Sequence, residues 1–239
     1  MDIQLYYKEK GTGEPVILLH GNGGDSGYFV HQFDWLAQFF RVIAVDTRGH
    51  GQSPRGTAPF TLSQFADDLR ALMDRLSLPR ATLLGFSDGG NIALTFAIRY
   101  PERVDKLIVN GANTTPDGLL FSFYAPTLVR YWAAGIKAKK DSAAAAKAEL
   151  LRLMVKEPHI KEKELKGISA PTLVIAGSKD LIERRHTFYI SQTIPHAKLA
   201  FVKGSHTVAQ DNPIDFNRIL AEFLEIDMEA YQRRLEAEK

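Results

Sequence analysis

Four short runs of mostly apolar residues recur along this chain, "PVILLH" (15–20), "RVIAVD" (41–46), "ATLLGF" (81–86) and "PTLVIAGS" (171–178), with "VDKLIVNG" (104–111) as a further strand-like segment. A strand with one wet face alternates apolar and polar residues, whereas a run apolar throughout needs cover on both faces. Between these runs lie stretches with helical spacing, such as Leu62, Phe65, Leu69, Leu72 and Leu76, with Thr61 or Ser63 available as an N-cap. Repeated strand–helix alternation predicts an α/β protein, a mostly parallel, doubly wound sheet with helices on both faces. "IQLYYKE" (3–9) alternates and is expected to be an exposed strand, "GYFVHQFDWLAQF" (27–39) a helix, and "AKLAFVKG" (197–204) a last strand before a closing helix.

The alternation is interrupted between Thr114 and Lys166. This stretch opens with aromatics and then becomes rich in Ala, Lys, Glu and Leu, which are strong helix formers. It is read as a helical lid (114–166) inserted into a core made of residues 1–113 and 167–239. The charged tail "EIDMEAYQRRLEAEK" is expected to be helical.

Composition excludes some chemistry. There is no cysteine, so disulfides, thiolate nucleophiles and cysteine metal sites are ruled out. A formal net charge of +2 gives no basis for nucleic-acid binding. No apolar run reaches the length of about 18 residues that suggests a membrane span, and the first fifteen residues lack the pattern of a secretory signal. A soluble, cytoplasmic protein acting on a small molecule is expected, with no nucleic-acid or membrane partner. Oligomeric state is left open.

"GFSDGG" (85–90) sits where a buried strand gives way to a helix. A sharp strand-to-helix turn there exposes the hydroxyl of Ser87, and glycines two residues to either side avoid collision. A serine hydroxyl needs a base to take its proton and a carboxylate to orient that base. Of seven histidines, His206 follows the last strand on a loop at the carboxyl edge of the sheet. His20 is better explained as scaffold for the turn "HGNGG", and His50 as structural within "DTRGHG". His31, His159, His186 and His196 are expected at the surface. Asp180 follows the strand "PTLVIAGS", completing the chain order Ser87, Asp180, His206. Asp46 is read as bracing the "DTRGHG" loop, and Asp211 as a helix cap. Backbone N–H groups of Asn22 and Asp88 are the candidate oxyanion donors.

Together "VILLHGNGG", "VIAVDTRGHGQS", "LLGFSDGGNIAL", "PTLVIAGSKDLI" and "VKGSHTVAQDNP" resemble the α/β-hydrolase superfamily, in the family's order. The resemblance implies the α/β-hydrolase fold and a cofactor-free serine hydrolase with Ser87 as nucleophile, His206 as base and Asp180 as acid. Such an enzyme cleaves a small carboxylic ester, lactone or thioester through an acyl-enzyme. A C–C bond hydrolase, a lyase-like synthase or a perhydrolase could use the same triad, and a hydrolase-like ligand receptor could retain it. The chain begins at what is usually the second strand, so a shortened first hairpin is expected. Asp88, in place of the usual small or apolar residue, either favours a cationic group, as in serine esterases that carry Ser-Asp-Gly-Gly and accept α-amino esters, or complements the helix dipole. Phe86, Phe121, Phe123, Tyr124, Tyr131 and Trp132 either line the pocket or pack the lid onto the sheet.

Overall fold

The computed structural model describes residues 2–237. Seven strands form one sheet: β1 (Tyr7–Lys10), β2 (Pro15–Leu19), β3 (Arg41–Val45), β4 (Ala81–Phe86), β5 (Val104–Asn110), β6 (Thr172–Gly177) and β7 (Lys198–Val202). Their spatial order is β1-β3-β2-β4-β5-β6-β7. β1 alone runs antiparallel, pairing with β3, and every other neighbour pair is parallel. The apolar runs land where full burial requires them: β4 and β6 are buried at every residue.

Ten helices connect and cover the strands among the described residues: α1 (Val30–Leu36), α2 (Leu62–Arg75), α3 (Asp88–Arg99), α4 (Phe121–Lys137), α5 (Ser142–Lys156), α6 (Glu162–Lys166), α7 (Arg184–Thr193), α8 (Val208–Asp211), α9 (Pro213–Leu224) and α10 (Met228–Ala237). One core layer packs α2 and α3 against the sheet through Phe65, Leu69, Leu83, Ile92 and Phe96. The opposite layer packs α1 and α9 through Leu36, Leu84, Ile108, Phe216 and Leu220. Thr61 caps α2 by accepting from the Gln64 N–H at 3.2 Å. The alanine tract is helical as α5, capped by Asp141. α4, α5 and α6 lie between β5 and β6 in the chain; α4 and α5 contribute Phe123 and Met154 to the wall of a cavity over the carboxyl edge of the sheet, whereas α6 buries Leu165 in the core.

Some boundaries differ from the sequence expectation. The first strand is shorter than residues 3–9. Ile3 and Leu5 are buried in the core, and the Asp2 carboxylate is held by Arg48 and by the N–H groups of Thr57 and Ala58, so this segment follows the core rather than the sheet ladder. His186 is buried rather than at the surface, because the turn at Gly118 covers its ring. Asp211 does not cap a helix. Its carboxylate accepts from the Ser205 N–H and the hydroxyls of Ser205 and Thr207, while Asn212 caps α9. The tail is helical through Ala237, and its last two residues lie outside the described ones.

Candidate active site

Ser87 stands between β4 and α3 with φ 53° and ψ −120°, a left-handed conformation that non-glycine residues rarely adopt. Two hydrogen bonds hold the turn: Ser87 N–H donates to the Asn110 carbonyl at 2.8 Å, and Asn91 N–H to the Ser87 carbonyl at 3.0 Å. The flanking glycines are sterically required. A Cβ on Gly85 would lie 2.2 Å from the Gly89 carbonyl oxygen, and one on Gly89 would lie 2.1 Å from that of Leu19.

His206 hangs from the loop after β7, and its Nε2 is 3.0 Å from Ser87 Oγ. Its Nδ1 is 2.6 Å from Asp180 Oδ1. With Nδ1–H donated to that carboxylate, Nε2 is left to accept the serine proton. Asp180 is itself held, accepting from the Ile182 N–H at 2.9 Å and the Gly177 N–H at 3.3 Å. The Asp211 contacts brace the loop that carries His206. The structure thus brings together three side chains contributed after β4, β6 and β7.

The "HGNGG" loop passes over the serine. A Cβ on Gly21 would be 2.9 Å from the Phe86 ring and 3.1 Å from Ser87 Cβ. Asn22 follows, and Asp88 opens α3, where the first N–H groups have no acceptor within the helix. Beneath this loop His20 is scaffold. Its Nδ1–H donates to the Gly21 carbonyl at 2.7 Å, and its Nε2 accepts from the Thr47 N–H at 3.1 Å. Asp46 braces the neighbouring loop by accepting from the N–H groups of Ser26 and Gln52.

A cavity of about 240 Å³ opens over Ser87. Phe86, Leu119, Phe123, Met154, Leu181 and Ile182 form its apolar walls. Its polar lining comes from Asn22, Asp88, Asn113, Glu157 and Thr207 beside Ser87 and His206. Asp88 is buried, and its carboxyl accepts from the Asn22 side chain at 2.8 Å and, more weakly, from Asn91 at 3.4 Å. Burial pushes the Asp88 carboxyl above its ordinary range, and the charge of Glu157 adds to the effect.

Of the aromatic candidates, Phe86 and Phe123 line this cavity. Phe86 stacks on Tyr28 at 4.0 Å and lies 4.8 Å from the His206 ring. Phe121, Tyr124, Tyr131 and Trp132 are not brought to it. Phe121 and Trp132 sit on the outward face of α4, and Tyr131 with Trp132 lines a separate surface depression. Sequence reasoning missed Asn113, Met154 and Glu157, which carry no motif. It also missed Gly111, at φ 62°, where a Cβ would lie 2.8 Å from the His206 ring. A glycine ending the strand-like segment "VDKLIVNG" was the available signal.

The chain as a whole is similar to known proteins. The family model described as alpha/beta hydrolase fold matches residues 14–154. An uncharacterised protein of Mycobacterium tuberculosis is 38% identical over 112 residues, 46% of this chain; the match spans 33% of that relative's length. RutD of Caulobacter sp. strain K31, which bears the name of a carbamate hydrolase, is 30% identical over 243 residues, covering 88% of this chain and 90% of its own. A solved thermophilic esterase from Thermogutta terrifontis superposes with a TM-score of 0.78 at 26% identity, over 93% of each chain.

Proposed function

The chain belongs to the α/β-hydrolase family, and from that premise we propose that it is a serine hydrolase cleaving a small carboxylic ester, lactone or thioester through an acyl-enzyme. The observation that carries this reading is the relay Ser87–His206–Asp180, at 3.0 and 2.6 Å, opening into a cavity of about 240 Å³. That cavity is below the range of about 300–1,000 Å³ usual for drug-sized ligands, which favours a small acyl group.

His206 Nε2 takes the Ser87 proton as Oγ attacks the substrate carbonyl. The resulting oxyanion is held by the backbone N–H groups of Asn22 and Asp88. His206 then returns the proton to the leaving group, and in the second half it activates water against the acyl-serine. Asp180 keeps the imidazole in the required tautomer and steadies the imidazolium. Residues 114–166 act as a lid that supplies Phe123, Met154 and Glu157 to the cavity.

Of the two acids that line the cavity, Glu157 is paired with Arg152 at 3.2 Å, whereas Asp88 is held only by the amides of Asn22 and Asn91, and no Lys or Arg is among the lining residues. A buried acid held at a cost above its ordinary pKa range gains by meeting a cation. The preferred substrates therefore bear a protonated amine near the scissile carbonyl.

The test is hydrolysis of p-nitrophenyl esters graded in acyl length, with an aminoacyl ester and a carbamate added, beside Ser87→Ala. Turnover on the esters that disappears in the variant is expected. A folded protein inactive on all of them moves the assignment to the non-ester reactions of this triad or to a ligand receptor. If Asp88→Asn leaves the ratio of aminoacyl to simple acyl turnover unchanged, the amine preference is wrong.

A further inference from the structure

α4 is amphipathic in the opposite sense from an ordinary surface helix. Its buried residues are Thr127 and Ala134, on the face that also carries Phe123 into the cavity wall. Its outward face carries Phe121, 77% exposed, Val129 (61%), Trp132 (59%) and Ile136 (77%). At 3.6 residues per turn these four fall within about 80° of one another, a single stripe along one side of the helix. They make a patch on the order of 500 Å², comparable to the largest on a typical monomer.

The stripe contains a notch. A side chain added at Gly135 would meet nothing within 4 Å, and Trp132, Ile136 and Lys139 border a shallow depression there. A glycine inside a helix is destabilising relative to alanine. Its place beside Trp132 and Ile136 suits a surface that receives a protruding side chain. A lipid surface has no use for such a notch.

We propose that α4 is a homodimer interface, in which two copies of this chain pack their α4 helices antiparallel across a two-fold axis close to Val129. That register sets Trp132 against Ala125 of the other copy, large against small, and brings Phe121 to the notch beside Gly135 and Ile136. Two such patches bury on the order of 1,000 Å², where specific interfaces begin. No acidic residue lies between Asp117 and Asp141, and the basic residues Lys137, Lys139 and Lys140 gather at one end. Antiparallel pairing keeps the two basic ends apart, whereas parallel pairing would juxtapose them. The dimer also braces the helix that carries Phe123, so the cavity wall gains support from the other copy. This inference stands whether or not the chain is an ester hydrolase.

The test is sedimentation velocity from 1 to 100 µM, roughly the range in which an interface of this size operates. A concentration-dependent dimer is expected, and Ile136→Lys, at an exposed position that leaves the fold intact, should raise its dissociation constant at least about 100-fold. The chain lacks cysteine, so single cysteines report the register directly. Val129→Cys should cross-link through a short bis-maleimide. Ser122→Cys should not, because its two copies would lie about 20 Å apart. A monomer at every concentration, a dimer indifferent to Ile136→Lys, or cross-linking through Ser122→Cys alone overturns the proposal. So does a monomer that sediments with vesicles of anionic phospholipid, which would assign the stripe to a lipid surface.

Discussion

The side-chain amide of Asn22 donates one hydrogen bond to Asp88 Oδ2 at 2.8 Å and another to the Leu150 carbonyl of α5 at 2.9 Å. Both N–H bonds of the amide are thereby used, and three separate elements meet at one side chain: the loop over the serine, the first turn of α3, and α5. If the Asn22 backbone N–H serves the oxyanion, its position depends on this clasp. Asn22→Ala should lower kcat about 10–100-fold, with KM within about threefold, because the lost interaction is made in the transition state. Asp88→Ala removes the same bond from the other side, so the double variant should be little worse than the poorer single one. Strictly additive losses in that cycle would show that the clasp does not act as a unit.

Gly111 lies against the ring of His206, the proposed base. A Cβ there would lie 2.8 and 2.9 Å from two atoms of the His206 ring, at a φ of 62° that already disfavours side chains. Gly111→Ala should displace the imidazole from Ser87 and lower kcat about 100-fold or more, since a 1 Å misplacement can have an effect of that size. Labelling of Ser87 by a fluorophosphonate should slow in parallel, while circular dichroism stays native. Full activity would mean that the ring has room to yield.

The fold was legible in the sequence because strands buried on both faces leave continuous apolar runs that helices do not imitate at that length. The three candidate catalytic side chains were legible for a related reason: Ser87 and Asp180 follow such runs and His206 follows the less buried last strand, each on a loop after the end of a parallel strand. The cavity walls were not. Phe123 and Trp132 lie on one aromatic-rich helix, and only its direction of facing decides that the first lines the cavity and the second meets solvent. Glu157 enters the site from a segment with no motif, held by the Leu62 N–H and by Arg152. His186 was misplaced because a single glycine turn, at Gly118, covers its ring.

Asp88 should weaken the fold at neutral pH. Its carboxyl is buried and its pKa raised, so the folded state favours the protonated form. Stability from this group is present below its unfolded pKa of 3.8 and is lost as pH rises through the higher folded value. Asp88→Asn keeps an acceptor for Asn22 and removes the buried charge. Its Tm at pH 7 should exceed that of the parent, and the gap should close as the pH approaches 3.8. A lower Tm for the variant at pH 7 would mean that the ionised carboxylate stabilises the fold. A residue that weakens the fold while facing the cavity is the pattern expected of a functional group.

His50 acts in the opposite sense. Burial pushes its imidazole down to about 4, with the neighbouring His20 contributing, and Nδ1 lies 3.0 Å from both Thr47 Oγ1 and the Arg48 carbonyl. The folded state therefore holds His50 neutral while the unfolded chain protonates it near 6.5. Its contribution is fully present above that pH and is lost as pH falls from 6.5 towards 4, by a total on the order of 3 kcal/mol. Urea unfolding at a series of pH values reads this directly, as a stability that rises across the window by up to about 1.4 kcal/mol per pH unit for one proton. His50→Asn loses ring packing against Phe60 and should be less stable throughout. Its profile between those limits should nevertheless be flatter by that slope. Parallel profiles for the two proteins would show that His50 does not carry the acid sensitivity and would turn attention to His20, whose imidazole burial also depresses.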